Sequence, residues 1–299
     1  MELDSSYDYF ICEMGAYKRG EIAELCRMAT PRYGILTGIA EQHLDRFGSL
    51  ANIILGKFEL INALPKDGLA VLNGDNRYIR ERLNEVETPF LTYGLEDIAS
   101  SIQAEDINVS AKGTSFTLNL RGAKKRVTTN LLGKASLQNI LGAATLAHKL
   151  GIPLLQIAEV VRKLEPVPHR LQLVNSGAYT VIDDAYNSNP EGFRQAIEVV
   201  SLFPVKRKIL VTPGIIDLGK HNQKVHNELG KFAASVFSDV ILVGKSERTT
   251  ALQDGLEDVK FDSQKIKTVK DLQEARETLA QIVEKDTVVL FENDLPDNY

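Results

Sequence analysis

Short runs of apolar residues alternate along this chain with longer segments in which apolar residues recur every three or four positions. The short runs predict buried strands, and the longer segments predict amphipathic helices that cover them. The predicted strands are Tyr9–Cys12, Tyr33–Leu36, Leu69–Leu72, Phe90–Tyr93, Val181–Asp184, Lys208–Val211, Val240–Val243, Ile266–Val269 and Val288–Phe291. The predicted helices are Gly20–Ala29, Ser49–Leu64, Asn76–Val86, Ala135–Leu150, Leu154–Leu164, Pro190–Phe203, Gln223–Val236, Thr249–Leu256 and Leu272–Lys285. This alternation is typical of an α/β protein with mostly parallel sheets.

The pattern changes between residues 102 and 130. Ser115–Leu120 alternates apolar and polar residues with a period of two, Gly122 marks a turn, and Arg126–Thr129 follows. An alternating pair of segments around a turn predicts a small antiparallel β insertion in the first half of the chain.

The chain has 299 residues, about twice the length of a typical domain, which favours two domains. Pro166-Val-Pro168 is the predicted boundary, because two prolines in three residues end a helix and stiffen a linker. We therefore expect one domain at residues 1–166 and a second, Rossmann-like and doubly wound, at residues 167–299.

Composition narrows the class of protein. Hydrophobic residues make up 43% of the chain and charged residues 25%, which excludes a disordered chain. The net charge of −5 gives no general attraction to nucleic acid or to an anionic membrane. No apolar run approaches the roughly 20 residues of a membrane-spanning helix, and two cysteines cannot form a disulfide scaffold. We expect a soluble cytoplasmic protein without membrane insertion.

Three residues of the first half are candidates for chemistry. Glu13 follows a predicted strand, at the edge where open parallel sheets bind ligands, and its carboxylate suits Mg²⁺. His43 is a candidate metal ligand in the loop after the next predicted strand, and Lys57 lies on an otherwise apolar helix. Each also has a simpler interpretation: a solvated loop glutamate, a packing histidine, and a lysine that extends its amine to solvent.

In the second half, polar residues crowd the segment Asp183-Asp-Ala-Tyr-Asn-Ser-Asn-Pro190, where a predicted strand ends and a helix begins. A helix N-terminus at this point favours an anionic ligand, although an ordinary turn rich in Asn and Asp is the alternative. Arg170 follows the predicted linker and is a candidate to bind phosphate.

Taken together, these segments resemble the Mur ligase family, from about Tyr7 to at least Gly244. The resemblance is carried by Glu13-Met-Gly-Ala16, His43-Leu-Asp-Arg-Phe-Gly-Ser49, Lys57, Gly133-Lys-Ala-Ser-Leu-Gln-Asn139, Pro168-His-Arg170 and the segment Asp183–Pro190. The last of these is similar to the branch of the family that joins D-alanyl-D-alanine to UDP-MurNAc-tripeptide.

The resemblance implies an ATP-dependent ligase of peptidoglycan precursor synthesis that works through an acyl-phosphate. It implies a central domain like that of phosphate-loop ATPases, a Rossmann-like C-terminal domain, and a monomer when complete. Two Mg²⁺ ions are implied, held by Glu13, His43 and Lys57, with Lys57 carbamylated by CO₂ to hold the second ion. The implied catalytic residues are Lys57, His43 and Arg170, the nucleotide-binding residues are Asn139, Arg170, Asp184 and Tyr186, and the substrate-binding residues are Asn187 and Asn189.

The chain also departs from the family. It contains no G-x-x-G-K-[ST] phosphate-binding loop, so the resemblance implies a C-terminal portion of the enzyme with little or no ligase activity of its own. Phe291-Glu-Asn-Asp294 stands where Lys-Gly-Ser is typical, which leaves a substrate contact there open. Two alternatives remain: a related amide ligase of folylpolyglutamate or cyanophycin type, and a non-catalytic remnant or partner subunit.

Overall fold

The computed structural model describes residues 6–41, 44–96, 100, 102–110, 113–175, 179–186, 188–216 and 218–293. The chain divides into two compact units. Unit 1 contains Met1–Ile102 and Leu141–Leu146, and unit 2 contains Gln103–Ile140 and Ala147–Tyr299. The domain boundary expected at residues 166–168 stays a prediction.

The described residues form a mixed α/β fold, as the sequence pattern predicts. The strands are β1 (Tyr33–Leu36), β2 (Leu69–Asn73), β3 (Phe90–Gly94), β4 (Ile102–Ser110), β5 (Gly113–Leu120), β6 (Ala123–Thr129), β7 (Gln172–Asn175), β8 (Thr180–Asp184), β9 (Arg207–Thr212), β10 (Asp239–Val243), β11 (Ile266–Val269) and β12 (Thr287–Glu292). The helices are α1 (Glu21–Ala29), α2 (Leu44–Phe47), α3 (Leu50–Asn62), α4 (Arg77–Arg80), α5 (Gly133–Lys149), α6 (Leu154–Arg162), α7 (Pro190–Ser201), α8 (Asn222–Ala234), α9 (Glu247–Asp258) and α10 (Leu272–Ile282). None of the helices in these ranges is long and apolar enough to cross a membrane.

Unit 1 is built on three parallel strands. β2 lies between β1 and β3, and all five of its residues are buried, as expected for a central strand covered on both faces. Helix α3 packs over this sheet with Ile53, Phe58 and Ile61 in the core. Ser49 is its N-cap, because the Ser49 side chain accepts a hydrogen bond from the Asn52 backbone amide at 3.2 Å.

The predicted antiparallel insertion is confirmed. β5 and β6 pair antiparallel from Thr114 opposite Thr129 to Leu120 opposite Ala123, with the turn at Arg121 and Gly122. Phe116, Leu118 and Leu120 of β5 are buried, so the period of two in the sequence is the alternation of the strand's two faces.

Unit 2 contains a doubly wound sheet with the strand order β11-β10-β9-β12-β8-β7. All its neighbouring strands are parallel except β7, which runs antiparallel to β8. One face of the sheet packs on α7, α8 and α9 through Phe193, Leu229 and Leu252. The other face packs on α10 through Ala275 and Leu279. Two buried faces explain why its central strands β9, β10 and β12 contain continuous apolar runs.

Two predicted elements were wrong, and one strand was not predicted. Tyr9–Cys12 is not a strand: Tyr9, Phe10 and Ile11 are 64%, 58% and 92% exposed. Apolar character favours a strand, but the pairing that makes one must come from a neighbouring backbone, which these four residues do not specify.

The predicted helix Asn76–Val86 is instead the short helix α4 followed by a 3₁₀ turn at Leu83–Glu85. Ile79 is its only fully buried residue, which gives a longer helix too little apolar burial to stabilise it. Strand β7 was not predicted, because Gln172 and Asn175 interrupt its apolar pattern.

A pair of glycines brings the backbones of α8 and α9 into direct contact. A methyl group added at Gly255 would collide with the Asn227 carbonyl oxygen of α8, and one added at Gly230 would collide with the Leu252 carbonyl oxygen of α9. These collisions involve main-chain atoms on both sides, so no side-chain rotation relieves them. Glycine is therefore required at both positions for the observed helix spacing.

We expect Gly255→Ala to destabilise the protein by about 3 kcal/mol, because the two helices must separate to admit the methyl group. Gly192→Ala is the matched control. Gly192 lies in α7, where the nearest atom to an added methyl group is the Ser188 Oγ at 3.3 Å, and alanine improves helix propensity. Urea denaturation followed by circular dichroism measures both changes, and equal midpoints for the two variants would contradict the prediction.

Candidate functional site

The carboxyl ends of β8, β9 and β12 lie side by side at one edge of the unit 2 sheet. β12 lies between β8 and β9, and its register places Glu292 opposite Asp184 and Phe291 opposite both Asp183 and Val211. Partners in register on neighbouring strands project to the same face of a sheet. The carboxyl groups of Glu292 and Asp184 are therefore neighbours at the edge where parallel sheets bind ligands.

These two carboxyl groups are in an unfavourable environment for charge. Glu292 is completely buried, and neither of its carboxyl oxygens has a hydrogen-bond partner within the described residues. Burial raises the pKa of Glu292 well above its ordinary value, and the neighbouring Asp184 raises it further. Burial also raises the pKa of Asp184, although the Leu171 amide, which donates to its Oδ1 at 3.0 Å, acts in the opposite direction. The pair therefore holds a proton at higher pH than ordinary carboxyl groups.

The predicted phosphate-binding Arg170 lies beside this edge. Its guanidinium lies over the ring of Tyr186, 4.6 Å from the ring centre, as in a cation–π contact. The turn that carries it is fastened to the end of β8 by the Tyr186 amide, which donates to the His169 carbonyl oxygen at 3.3 Å. His169 Nδ1 also lies 2.9 Å from Asp183 Oδ2. Arg170, Asp184 and Tyr186 thus lie close together, and their role in nucleotide binding stays a prediction.

Asn189 has a structural duty in the same turn. It is the N-cap of α7, and its Oδ1 accepts hydrogen bonds from the Glu191 and Gly192 amides at 3.1 and 2.9 Å. Pro190 follows at the first helical position. The polar crowding of this segment is therefore explained in part by capping, while Tyr186 remains 60% exposed.

Lys57 is half-buried on α3 of unit 1. Burial lowers the pKa of its amine, because a low-dielectric environment disfavours the charged form. A lysine of lowered pKa has a larger fraction of neutral amine, which is the reactive form. The role of Lys57 in the site stays a prediction.

The other predicted residues are less defined. Glu13 is exposed in a segment without helix or strand, and Asn139 is exposed in α5. His43 and Asn187 lie outside the described residues. Within the described ranges, no three His, Cys, Asp or Glu side chains converge as a metal centre. The combined metal site of Glu13, His43 and Lys57 stays a prediction.

The family sequence profile of the Mur ligase middle domain matches residues 2–147, and that of the Mur ligase glutamate ligase domain matches residues 169–292. The chain belongs to the Mur ligase family. This Mur ligase has the α/β fold class that the sequence resemblance implied.

Its curated relatives include UDP-N-acetylmuramoyl-tripeptide–D-alanyl-D-alanine ligases (MurF). The one from Escherichia coli (strain K12) is 29% identical over 261 residues, which cover 86% of this chain and 57% of the relative. The one from Bacillus subtilis (strain 168) is 30% identical over 222 residues, which cover 74% of this chain and 47% of the relative. The chain thus spans about half the length of these relatives.

Solved MurF structures also resemble this chain in fold. MurF from Thermotoga maritima in complex with ADP superposes with a TM-score of 0.82 at 25% identity. The superposition covers 94% of this chain and 62% of that protein. MurF from Acinetobacter baumannii gives a TM-score of 0.83 at 22% identity, with 98% of this Mur ligase and 63% of that chain covered. The second likeness concerns the fold alone.

Sequence reasoning missed Glu292 and Asn293 as members of this edge. The signal that could have found them is their place directly at the end of a buried parallel strand, where Asp184 was found. His169, which contacts Asp183, was quoted only as a neighbour of Arg170. Its backbone conformation, with φ at 61°, is not readable from the sequence.

We expect Glu292→Gln to stabilise this Mur ligase at pH 8 by about 1–3 kcal/mol, because a neutral amide replaces an ionisable carboxyl group that is buried beside Asp184. The folded pKa of Glu292 lies above its ordinary value of 4.5, so the wild-type protein loses stability as pH rises from about 4.5 towards that folded pKa. The variant lacks this loss, and its amide can donate to Asp184. Urea denaturation at pH 4 and pH 8 measures the difference.

The matched control is Glu284→Gln, because Glu284 is 70% exposed and its ion pair with Arg207 is at the surface. That variant should follow the wild-type pH dependence. A Glu292→Gln protein that loses as much stability between pH 4 and pH 8 as the wild type would show that Glu292 ionises normally.

Proposed function

We propose that this chain is part of a ligase that adds D-alanyl-D-alanine to UDP-MurNAc-tripeptide in an ATP-dependent reaction. The observation that carries the proposal is the cluster at the carboxyl edge of unit 2, where Arg170 lies on Tyr186 beside Asp184. Its support from relatives is the 29–30% identity to MurF proteins over most of the chain.

The proposed chemistry has two steps. The terminal carboxylate of the tripeptide attacks the γ-phosphorus of ATP, so that an acyl-phosphate forms and ADP leaves. The amine of D-alanyl-D-alanine then attacks the acyl carbon, the amide bond forms, phosphate leaves, and the amine gives up a proton. Phosphoryl transfer is catalysed mainly by positioning and by neutralising charge. Water must be excluded, because it hydrolyses the acyl-phosphate.

The residues divide this work between them. The Arg170 guanidinium is suited to the ATP phosphates, because it presents several donors in a planar fork. In the proposal Asn139, Asp184 and Tyr186 contact the nucleotide, and Asn187 and Asn189 contact the substrate. The Asn189 Oδ1 is already engaged in capping α7, so only its amide nitrogen is suited to a ligand contact.

Mg²⁺ would be held by Glu13, His43 and carbamylated Lys57, and would neutralise phosphate charge. The lowered pKa of Lys57 fits this role. Its neutral Nζ attacks the carbon of CO₂, an N–C bond forms, and Nζ releases one proton, which leaves an anionic carbamate. Carbamate oxygens are hard ligands of the kind that Mg²⁺ prefers. The proposal also includes the domain boundary at residues 166–168. The complete protein is proposed to be a monomer in the cytoplasm, where ATP is available.

The chain by itself is expected to have little ligase activity, because its sequence holds no G-x-x-G-K-[ST] loop to bind the β- and γ-phosphates. A coupled assay of ADP release with UDP-MurNAc-tripeptide and D-alanyl-D-alanine should therefore give turnover far below about 1 per second. Turnover within the usual enzyme range would contradict this expectation.

The same assay separates the alternatives. The assay is repeated with folate and glutamate, and then with the amino acids of cyanophycin, in place of UDP-MurNAc-tripeptide and D-alanyl-D-alanine. A complete enzyme that accepts only one of these would be a related amide ligase. Binding of substrates without turnover in the complete protein would indicate the non-catalytic partner.

Lys57→Ala in the complete ligase is expected to lower turnover by about 100-fold or more, because the proposed carbamate is lost. Added short-chain carboxylates should restore part of the activity by supplying an oxygen ligand. Lys66→Ala is the control, since Lys66 is exposed beyond the end of α3. Unchanged turnover in the Lys57 variant would remove the carbamate from the proposal.

A further inference from the structure

Asn293 occupies an unusual place directly after β12. The residue is completely buried, and its backbone lies in the left-handed region with φ at 60°. Asparagine is among the few residues other than glycine that adopt this conformation readily. Its backbone amide donates to the Asp184 carbonyl oxygen at 3.1 Å, which extends the pairing of β12 with β8 by one residue.

The Asn293 side chain joins two further loops. Its Oδ1 accepts a hydrogen bond from the Ser188 amide at 2.7 Å, and its Nδ2 donates to the Gly214 carbonyl oxygen at 2.5 Å. Ser188 belongs to the loop after β8, and Gly214 to the loop after β9. The buried Asn293 side chain therefore connects the loop after β8 with the loop after β9, and these two strands flank β12.

The Gly214 side of this connection is itself held firmly. The amide of Ile215 donates to Nε2 of the buried His226 at 2.8 Å, and His226 Nδ1 lies 2.8 Å from the Asn222 carbonyl oxygen. Burial lowers the pKa of His226, which keeps the ring neutral and its Nε2 an acceptor. Asn293 thus fastens Ser188 to a loop anchored on α8.

We propose that Asn293 is a positioning residue that holds the turn after β8, at Asp184–Tyr186 and Ser188–Asn189, in the conformation required for nucleotide binding. This inference rests on the proposed function, because that turn carries Asp184 and Tyr186. Without the Asn293 amide, the Ser188 N–H and the Gly214 carbonyl oxygen lose their partners in a buried environment. The turn then samples other conformations, and Tyr186 loses its fixed place beside Arg170.

Asn293→Gly is the decisive variant, because glycine keeps the left-handed backbone and removes only the side-chain amide. Hydrogen exchange measured by mass spectrometry on the whole chain should become about tenfold faster in peptides that contain Ser188. Peptides from β10 should be unchanged. The dissociation constant of ADP, measured by calorimetry, should rise about threefold to tenfold, as expected for the loss of buried hydrogen bonds that order the site.

The matched control is Asp271→Ala. Asp271 caps α10 in the same unit by accepting from the Glu274 amide at 2.9 Å, far along the chain from the turn. This variant destabilises the fold but should leave both the Ser188 exchange and the ADP affinity as in the wild type. A similar change in both variants would show that Asn293 has only a general structural role.

A second variant covers the case in which Asn293→Gly does not fold. Asn293→Asp keeps the oxygen that accepts from Ser188 and, when its buried carboxyl group is protonated, a donor to the Gly214 carbonyl oxygen, so it should retain slow Ser188 exchange at pH 5 and lose it at pH 8. Unchanged exchange in Asn293→Gly, or faster exchange with unchanged ADP affinity, would overturn the inference. The ADP measurement is made on the complete ligase, whose failure to bind ADP would count against the proposed function, and the exchange data would still decide whether Asn293 holds the turn.

Discussion

The parallel register of β12 between β8 and β9 is the constraint on which the candidate site depends. Parallel strands end at a common edge, so residues that are distant in sequence, such as Asp184 and Glu292, become neighbours without any further device. The same register sends Asn293 to the junction of three loops. Packing in the two cores fixes this register, because a shift by one residue would exchange the side chains of β12 between the cores and disrupt the packing of both.

The sequence predicted most of the sheets, because a strand that is buried on both faces consists of consecutive apolar residues. Val288–Leu290 and Leu210–Val211 are continuous apolar runs, and they form the buried centres of β12 and β9. The predicted helix starts at Ser49 and at Pro190 were equally direct, since Ser49 caps α3 and Pro190 is the first residue of α7. These features can be predicted locally, because each depends on the residues of its own segment.

What the sequence could not supply was information held between segments. Tyr9–Cys12 has the composition of a strand, but pairing is a property of two backbones. The neighbour relation of Asp184 and Glu292 follows from strand order, which apolar patterns do not encode. Likewise, the left-handed backbone of Asn293 is visible only in the folded chain. The metal site in unit 1 stays a prediction that rests on the family resemblance, and His43 lies outside the described residues.

The backbone contact of α8 with α9 has a consequence for how unit 2 loses its structure. Two helices separated by side chains can loosen gradually, since rotamers adjust to a widening gap. The main chains that touch at Gly230 and Gly255 have no side chains between them that could adjust, so the contact is either intact or broken. The two helices should therefore melt as a single cooperative piece, although β10 and its flanking loops separate them along the chain.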